Sequence, residues 1–227
     1  MKHTRIFSTN NDIKHALITQ ALIKPYIVLY GDSSDYVLDI DSKDPLNGYT
    51  YVNLGLSSGT LWATCNVGAS SPEDYGGYFA WAEVSEKSGE GAYNGNWNDY
   101  RYGTYDNFTK YNGTDNRTFL DLTDDAARVI MGGLWRIPTD AQVRELRALS
   151  SVWTSLNGVN GRLFTGNNGN TLFIPAAGFK NTGELIDAGT TCYMWNCEGG
   201  GSEGPSGAGY FKFDAGGTDE DIKAVGE

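Results

Sequence analysis

The sequence has very little histidine: its two histidines, His3 and His15, both lie within the first fifteen of 227 residues. The rest of the chain therefore lacks the imidazole base on which Ser-His-Asp and Cys-His catalytic constellations depend. A histidine-ligated metal site is excluded from those residues for the same reason. We predict a protein that is not an enzyme and that uses no cofactor and no metal.

Cysteine is also scarce, since Cys65, Cys192 and Cys197 are the only three in the sequence. Their number is odd and too small for a disulfide framework. Cys192 and Cys197 are near enough in sequence to meet across a loop. For a protein made in a cytoplasm, however, we expect buried and reduced thiols.

The sequence lacks an excess of cationic residues and has no long apolar run. Lys and Arg total 17 against 28 Asp and Glu, which gives a formal net charge of −11. A nucleic-acid surface needs the opposite sign, so we expect no nucleic-acid partner. No stretch reaches the ~18 apolar residues of a membrane span, and the first twenty residues lack the apolar core of a signal peptide. We therefore expect neither membrane insertion nor export through a secretory pathway.

The chain begins with a small segment, residues 1–44, that we interpret as an αββ unit. Residues 11–23 carry apolar side chains at four-residue spacing, which is typical of an amphipathic helix. The runs "YIVLY" (26–30) and "DYVLDI" (35–40) are typical of two strands. This unit has too little apolar surface to fold alone. We expect it to attach the main domain to a carrier or neighbouring subunit, or to form a homo-oligomer.

The main domain, residues 45–227, has short apolar segments separated by turn residues, and two helices interrupt them. Thr123 followed by "DDAARVIM" predicts a helix with an N-cap. In "PTDAQVRELRAL", Thr139 and Gln142 have the spacing of a capping box. Beyond Ser150, "NGVNG" and "NNGN" indicate hairpin turns, so we predict a β-meander there.

Several long motifs occur in one order in this domain: "VNLGLSSGTLWATCNVGASSPEDYGGYFAWAE", "LTDDAARVIMGGLWRIPTDAQVREL", "NGVNGRLF", "LFIPAAGF" and "YMWN". Together they resemble the major paralogous domain that is widespread in gut anaerobes. That family looks like a member of the C-type-lectin-like superfamily, in the branch shared with formylglycine-generating enzymes and with the hypervariable target proteins of diversity-generating retroelements. The resemblance covers about residues 45–214. It implies an α+β fold, a C-type-lectin-like domain with two helices, a twisted antiparallel sheet and long irregular loops.

The resemblance also gives a structural role to the aromatic residues of the first and longest motif. We expect five of the aromatic residues to be buried and to hold loops that have little secondary structure of their own. These residues are Trp62, Tyr78, Phe79, Trp81 and Trp135.

The two ends of the chain depart from the family pattern. Many relatives end in a strand close to "SVRPV", whereas this sequence ends in "TDEDIKAVGE", so we expect either a replaced last strand or a truncated sequence. Many relatives are exported, whereas residues 1–44 loosely resemble the N-terminal segments of phage structural proteins. We therefore expect the protein to be on a virion or released by lysis, with a cytoplasmic or cell-surface location as the alternative.

Three patterns that suggest chemistry are weak. Formylglycine-generating enzymes use a cysteine pair, for which Cys192 and Cys197 are the only candidates, and neither lies in a matching motif. "WND" (97–99) and the acidic "DIDSKD" (39–44) are incomplete calcium motifs, which we interpret as coincidence and as a solvated turn. Five further acidic residues are interpreted as caps and surface charges. They are Glu73, Asp74, Glu83, Asp124 and Asp125.

What remains is a binding surface in residues 190–213, because the last third of the domain forms the ligand face in the retroelement-diversified relatives. Tyrosine and tryptophan bring contact area at low entropic cost, while serine, asparagine and glycine bring adaptable hydrogen bonds. The predicted ligand-binding residues are Tyr193, Trp195, Asn196, Glu198, Ser202, Glu203 and Tyr210. Core packing remains an open alternative for Trp195 and Tyr210, since strand alternation points only one of two neighbouring residues inward.

The sequence thus favours an adhesin-like recognition protein, displayed on a phage particle or cell surface, whose partner is a host surface glycan or protein. The alternative is a structural or decoration protein of a virion or surface assembly that has no external ligand. Exposed aromatic residues within 190–213 would favour recognition. The same residues buried against another subunit would favour the structural role.

Overall fold

Two short helices and several small antiparallel sheets make up the described part of the protein. The computed structural model describes residues 5–6, 37–38, 46–87, 99–104, 107–199 and 207–221. Over these residues the predicted mixed α+β class is confirmed. None of the helices in these ranges is both long and apolar enough to cross a membrane.

The first helix, α1 (Ala126–Met131), starts later than the sequence pattern indicates. Its N-cap is Asp125, whose side chain accepts a hydrogen bond from the backbone N–H of Arg128 at 2.9 Å. The prediction of Thr123 as the cap was therefore wrong. Asp125 is favoured because its second carboxylate oxygen also accepts from the N–H of Ile137 at 2.9 Å, which ties the helix start to the chain beyond its end.

The second helix, α2 (Asp140–Arg147), begins with the predicted capping box. Gln142 N–H donates to the Thr139 hydroxyl at 3.2 Å, and Thr139 N–H donates to the Gln142 side chain at 2.9 Å. These two bonds satisfy backbone donors that the first helical turn leaves without a partner. The helix buries Val143 and Leu146.

The strands are short and follow the turn signals of the sequence. In chain order they are β1 (Arg5–Ile6), β2 (Val37–Leu38), β3 (Tyr51–Asn53), β4 (Leu61–Ala63), β5 (Gly103–Thr104), β6 (Asn107–Phe108), β7 (Ser150–Leu156), β8 (Val159–Thr165), β9 (Thr171–Pro175), β10 (Phe179–Asn181), β11 (Glu184–Ile186), β12 (Thr191–Trp195), β13 (Tyr210–Asp214) and β14 (Thr218–Asp221).

Two three-stranded antiparallel sheets contain most of the strand residues. The first is β7-β8-β9, which confirms both predicted hairpin turns and a meander over these three strands; the rest of the predicted meander is divided into separate sheets. Asn157 and Gly158 form the first turn with positive φ angles of 48° and 85°. The second sheet is β12-β13-β14, and the remaining strands pair as β1-β2, β3-β4, β5-β6 and β10-β11.

The main core is shared by β3, β4, α2 and the two three-stranded sheets. Its buried side chains include Leu54, Trp62, Leu146, Phe164 and Phe211. A second cluster is built on Trp81 and Tyr111, and a third on Met131 and Trp135. The expected burial of the three tryptophans is therefore confirmed, while Tyr78 and Phe79 are half-buried.

Little of the N-terminal unit is described. Strand β2 lies within the predicted strand at 35–40, and it pairs with β1, which the sequence pattern did not predict. The predicted helix at 11–23, the predicted strand at 26–30 and the acidic turn at 39–44 lie outside the described residues.

A half-buried aromatic face as the candidate functional site

The β12–β13 hairpin sorts its side chains onto two faces because successive residues of a strand point in opposite directions. Cys192 lies opposite Phe213, Met194 lies opposite Phe211, and these residues belong to or pack against the main core. The alternate register pairs are Tyr193 with Lys212 and Trp195 with Tyr210, and all four are half-buried. Alternation therefore places Tyr193, Trp195 and Tyr210, all predicted ligand residues, on the face away from the main core, which we call the outer face. Trp195 packs there against the second buried cluster, as the alternative of core packing held.

The outer side chains form a continuous row of rings with Phe179 of β10. The ring centroids of Phe179 and Tyr193 are 5.1 Å apart, those of Tyr193 and Tyr210 are 6.0 Å apart, and those of Tyr210 and Trp195 are 6.2 Å apart. The first and last of these pairs meet edge to face. We call Phe179, Tyr193, Trp195, Tyr210 and Lys212 the aromatic face.

Hydrogen bonds to neighbouring loops hold two of these rings. The Trp195 indole N–H donates to the carbonyl of Phe79 at 2.8 Å, and the Tyr193 hydroxyl donates to the Asp187 carboxylate at 3.2 Å. Burial, followed by the bond to Asp187, raises the pKa of Tyr193 to about 12, so its hydroxyl stays protonated at neutral pH. The rings are therefore held in place before any ligand arrives, which lowers the entropic cost of binding.

Asn196 and Glu198 lie just beyond β12, where they organise the backbone. Asn196 is only 4% exposed, and its side-chain oxygen accepts from the N–H of Glu198 at 2.8 Å. The Glu198 carboxylate accepts from the N–H of Asp140 at 3.0 Å, at the start of α2. Both side chains are thus engaged within the protein, and the other two predicted ligand residues, Ser202 and Glu203, lie outside the described residues.

The two ends of the glycine-rich segment are hydrogen-bonded to each other. Asn196 N–H donates to the Gly209 carbonyl and Gly209 N–H donates to the Glu198 carbonyl, both at 2.9 Å. On the other side, Cys197 N–H donates to Pro138 and Leu120 N–H donates to Cys197. We call residues 196–199 with 207–209 the stem.

A buried polar cluster behind the stem was missed by the sequence analysis. The Asp124 carboxylate is 1% exposed and accepts hydrogen bonds of 2.6 Å from the Tyr102 hydroxyl, the Tyr111 hydroxyl and the Lys110 ammonium. Burial alone would raise the pKa of Asp124, but the hydrogen bonds from Lys110, Tyr102 and Tyr111 outweigh it and hold the pKa below its ordinary value. The cluster connects to the aromatic face because Tyr111 and Trp195 pack in the same apolar cluster.

The interpretation of the acidic residues as surface charges therefore needs a correction, since Glu83, Asp124 and Asp125 are buried. Asp125 caps helix α1, which agrees with the interpretation of these acidic residues as helix caps. Burial raises the pKa of Asp125. Glu83 forms a 3.2 Å ion pair with Lys87. Sequence spacing gave no signal for the burial of Asp124, because its partners Tyr102, Lys110 and Tyr111 lie 13 to 22 residues away in the chain. Within the described ranges no cluster of three or more metal-ligating side chains occurs.

The cysteine pair does not provide a reactive thiol in this structure. Cys192 and Cys197 are free thiols, each about 2% exposed. Burial raises the pKa of Cys192 to about 12 and that of Cys197 to about 11, the latter despite the Arg136 guanidinium that donates to its sulfur at 3.2 Å. A thiol nucleophile needs the opposite shift and exposure to its substrate.

Comparison with known proteins identified no family model, curated protein or solved structure with significant similarity to this chain. The family resemblance therefore remains a prediction from the motifs.

Proposed function

We propose that the chain is a non-enzymatic recognition protein with a C-type-lectin-like domain, displayed on a phage particle or cell surface. Its aromatic face binds a host glycan or protein. The observation that carries this proposal is the row of half-buried rings on the outer face of β12–β13.

The chemistry of the face suits a binding role. Tyrosine and tryptophan dominate the energetic centres of protein interfaces, because they bury a large area while few rotatable bonds are fixed. Tyr193 and Tyr210 lie on paired strands whose inner side chains are in the core, so the platform is rigid. A rigid scaffold that supports exchangeable side chains is also what the resemblance to retroelement-diversified proteins implies.

The stem adds a second support for recognition. The residues before the segment 200–206 are hydrogen-bonded to Pro138 and Leu120 through Cys197, and they are joined to the residues after it by the two bonds of Gly209 with Asn196 and Glu198. Insertions and substitutions between such fixed ends leave the scaffold intact. We therefore assign Asn196 and Glu198 to scaffolding, and Tyr193, Tyr210 and the exposed part of Trp195 to ligand contact.

A structural or decoration role is the second candidate, and two exposed apolar side chains near α1 favour it. Leu122 is 55% exposed and Val129 is 49% exposed, and neither belongs to the aromatic face. Exposed apolar side chains are a feature of contacts between subunits. In this alternative the domain packs against a neighbour in a virion or surface assembly and binds no external ligand.

The test measures binding to a glycan array and to host cells, and it compares the full chain with the double variant Tyr193→Ala, Tyr210→Ala. The matched control is Val152→Ala, which changes an exposed side chain on the other three-stranded sheet. Circular dichroism first establishes that all three proteins are folded. We expect the double variant to lose at least about tenfold in affinity, as for other central aromatic contacts. Absence of binding by the full chain, together with self-association or association with a carrier, would instead support the structural role.

A further inference from the structure

An exposed carboxylate borders the aromatic face. Asp187 directly follows β11, and its carboxylate accepts a 3.2 Å hydrogen bond from the Tyr193 hydroxyl. A carboxylate offers about four acceptor positions, of which the Tyr193 hydroxyl uses one. Because Asp187 is exposed, its carboxylate can also accept hydrogen bonds from a ligand that contacts the rings.

The backbone holds Asp187 in a defined position beside the rings. Its φ angle is 58°, in the left-handed region, and its carbonyl accepts from the N–H groups of Thr190 at 3.0 Å and Thr191 at 2.9 Å. Thr191 is the first residue of β12, so this turn joins Asp187 to the strand that carries Tyr193. An acceptor that is already held in place loses little freedom when a ligand binds.

The charges around Tyr193 favour a neutral ligand. The Lys212 ammonium lies 5.7 Å from the centroid of the Tyr193 ring, so the protein supplies its own cation to that ring and repels a cationic ligand there. The net charge of −11 repels an anionic ligand. A ligand that has hydroxyl groups and no charge meets neither repulsion, and its hydroxyls can donate to the Asp187 carboxylate.

From the rings, the carboxylate and these charges we infer that the aromatic face recognises a neutral glycan and that Asp187 contacts this glycan directly. Carbon-bound hydrogens of a sugar ring pack against the exposed parts of Tyr193 and Tyr210, and sugar hydroxyls donate to the Asp187 carboxylate. Asp187 lies outside residues 190–213, to which the sequence analysis assigned the binding surface. This inference rests on the proposed function, because it specifies the ligand of the same face.

Addition of a peptide strand to β12 is disfavoured by contacts near both ends of this strand. An extended peptide gains affinity by pairing with a free strand edge. At the start of β12, Gly178 N–H donates to the Thr191 carbonyl at 2.8 Å, and Gly178 forms a bridge with Cys192. Just beyond its end, Cys197 N–H donates to the Pro138 carbonyl at 2.8 Å. A ligand of this face is therefore contacted through side chains, which suits a sugar better than an added strand.

The test measures binding of the full chain to an array of neutral, acidic and amine-bearing glycans at low and at high salt. We expect the strongest binding among the neutral glycans. Added salt should change this binding little, because screening chiefly weakens interactions between charges. The neutral glycan that binds most strongly is then titrated against the full chain, Asp187→Asn and Tyr193→Phe. Asparagine preserves the shape of the side chain and tolerates the positive φ angle.

The two variants separate direct contact from positioning, once circular dichroism has established that both are folded. Asp187→Asn removes charge-assisted hydrogen bonds to the glycan and should lower the affinity about tenfold. Tyr193→Phe removes the bond between the ring and Asp187 but keeps the ring and the carboxylate, so it should bind nearly as tightly as the full chain. An equal loss in both variants would mean that Asp187 only positions the Tyr193 ring. That result, or unchanged affinity in Asp187→Asn, would overturn the direct contact.

The outcomes also separate this inference from the function on which it rests. If the strongest binding is to acidic or amine-bearing glycans and is lost in Tyr193→Ala, Tyr210→Ala, the neutral ligand is overturned while recognition by the aromatic face stays intact. Binding only to a host protein would overturn the choice of a glycan. Binding to nothing, with the double variant indistinguishable from the parent, would remove the proposed function itself.

Discussion

Replacing Asp124 with asparagine should destabilise the protein strongly, because this buried carboxylate accepts three short hydrogen bonds and also forms a 3.3 Å ion pair with Arg101. The Tyr102 hydroxyl, the Tyr111 hydroxyl and the Lys110 ammonium each lie 2.6 Å from it. Asparagine preserves the shape but turns one acceptor oxygen into a donor NH₂ group that faces these donors. Removing one member of a buried charged pair typically costs about 3–5 kcal/mol. Lys110 retains a second carboxylate, Asp121, at 2.6 Å, so we expect about 3 kcal/mol for Asp124→Asn.

The measurement is urea unfolding of both proteins, followed by tryptophan fluorescence. The Trp81 ring centroid lies 5.0 Å from that of Tyr111, so the signal includes the region of the cluster. In a chain of this size a loss of about 3 kcal/mol also lowers the melting temperature by roughly 6–12 °C. The matched control is Asp99→Asn, which removes an exposed carboxylate from Lys87 while Lys87 keeps its pair with Glu83, and it should cost below about 1 kcal/mol. A loss for Asp124→Asn no larger than that of the control would refute the reasoning.

The same carboxylate gives a pH dependence with a defined sign. The pKa of Asp124 is lower in the folded protein than its ordinary value of 3.8. Its contribution to stability is therefore fully present above pH about 4 and is lost as the pH falls through the folded-state pKa. Between pH 4 and pH 2, the parent should lose more stability than Asp124→Asn, because the variant has no carboxylate to protonate there. Parallel curves for the two proteins would contradict the assignment.

Two further predictions concern the first sheet and the thiols. In Gly161→Ala the added Cβ would lie 2.3 Å from the Ile174 carbonyl oxygen, so we expect a loss of roughly 2 kcal/mol or more in urea unfolding, whereas Gly217→Ala meets no atom within 4 Å and should change little. An unchanged unfolding midpoint for Gly161→Ala would contradict the β8–β9 pairing. With a thiol reagent at pH 8, half-buried Cys65 should react first, and the two buried cysteines only after denaturation. Rapid reaction of all three in the native protein would contradict the burial of Cys192 and Cys197.

The local elements of this fold follow from the sequence because their causes are local. The Thr139 and Gln142 capping box and the Asn157 and Gly158 turn each depend on residues that are adjacent or nearly so. Strand alternation predicted that Tyr193 points to the opposite face from its neighbours in the strand, but it did not predict which face is the outer one. Strand β12 had first to be paired with β13 before its two faces could be assigned.

The buried carboxylates show why other features of the fold and of the candidate site could not be predicted from the sequence. Asp124 is buried by Tyr102, Lys110 and Tyr111, which come from an irregular segment without hydrophobic periodicity. The choice of Asp125 over Thr123 as helix cap likewise depends on the N–H of Ile137, on the far side of the helix. Tertiary contacts determine both features, and the sequence pattern within one segment does not predict them.

The central claim is that ligand binding covers the outer face of β12–β13, and hydrogen exchange of the full chain with and without its strongest array ligand tests it most directly. We predict that binding slows exchange in 193–195 and 210–212, while exchange in β7, which belongs to the other three-stranded sheet, stays unchanged. Slower exchange confined to β7–β9 or to α1, with 193–195 and 210–212 unaffected, would contradict the account.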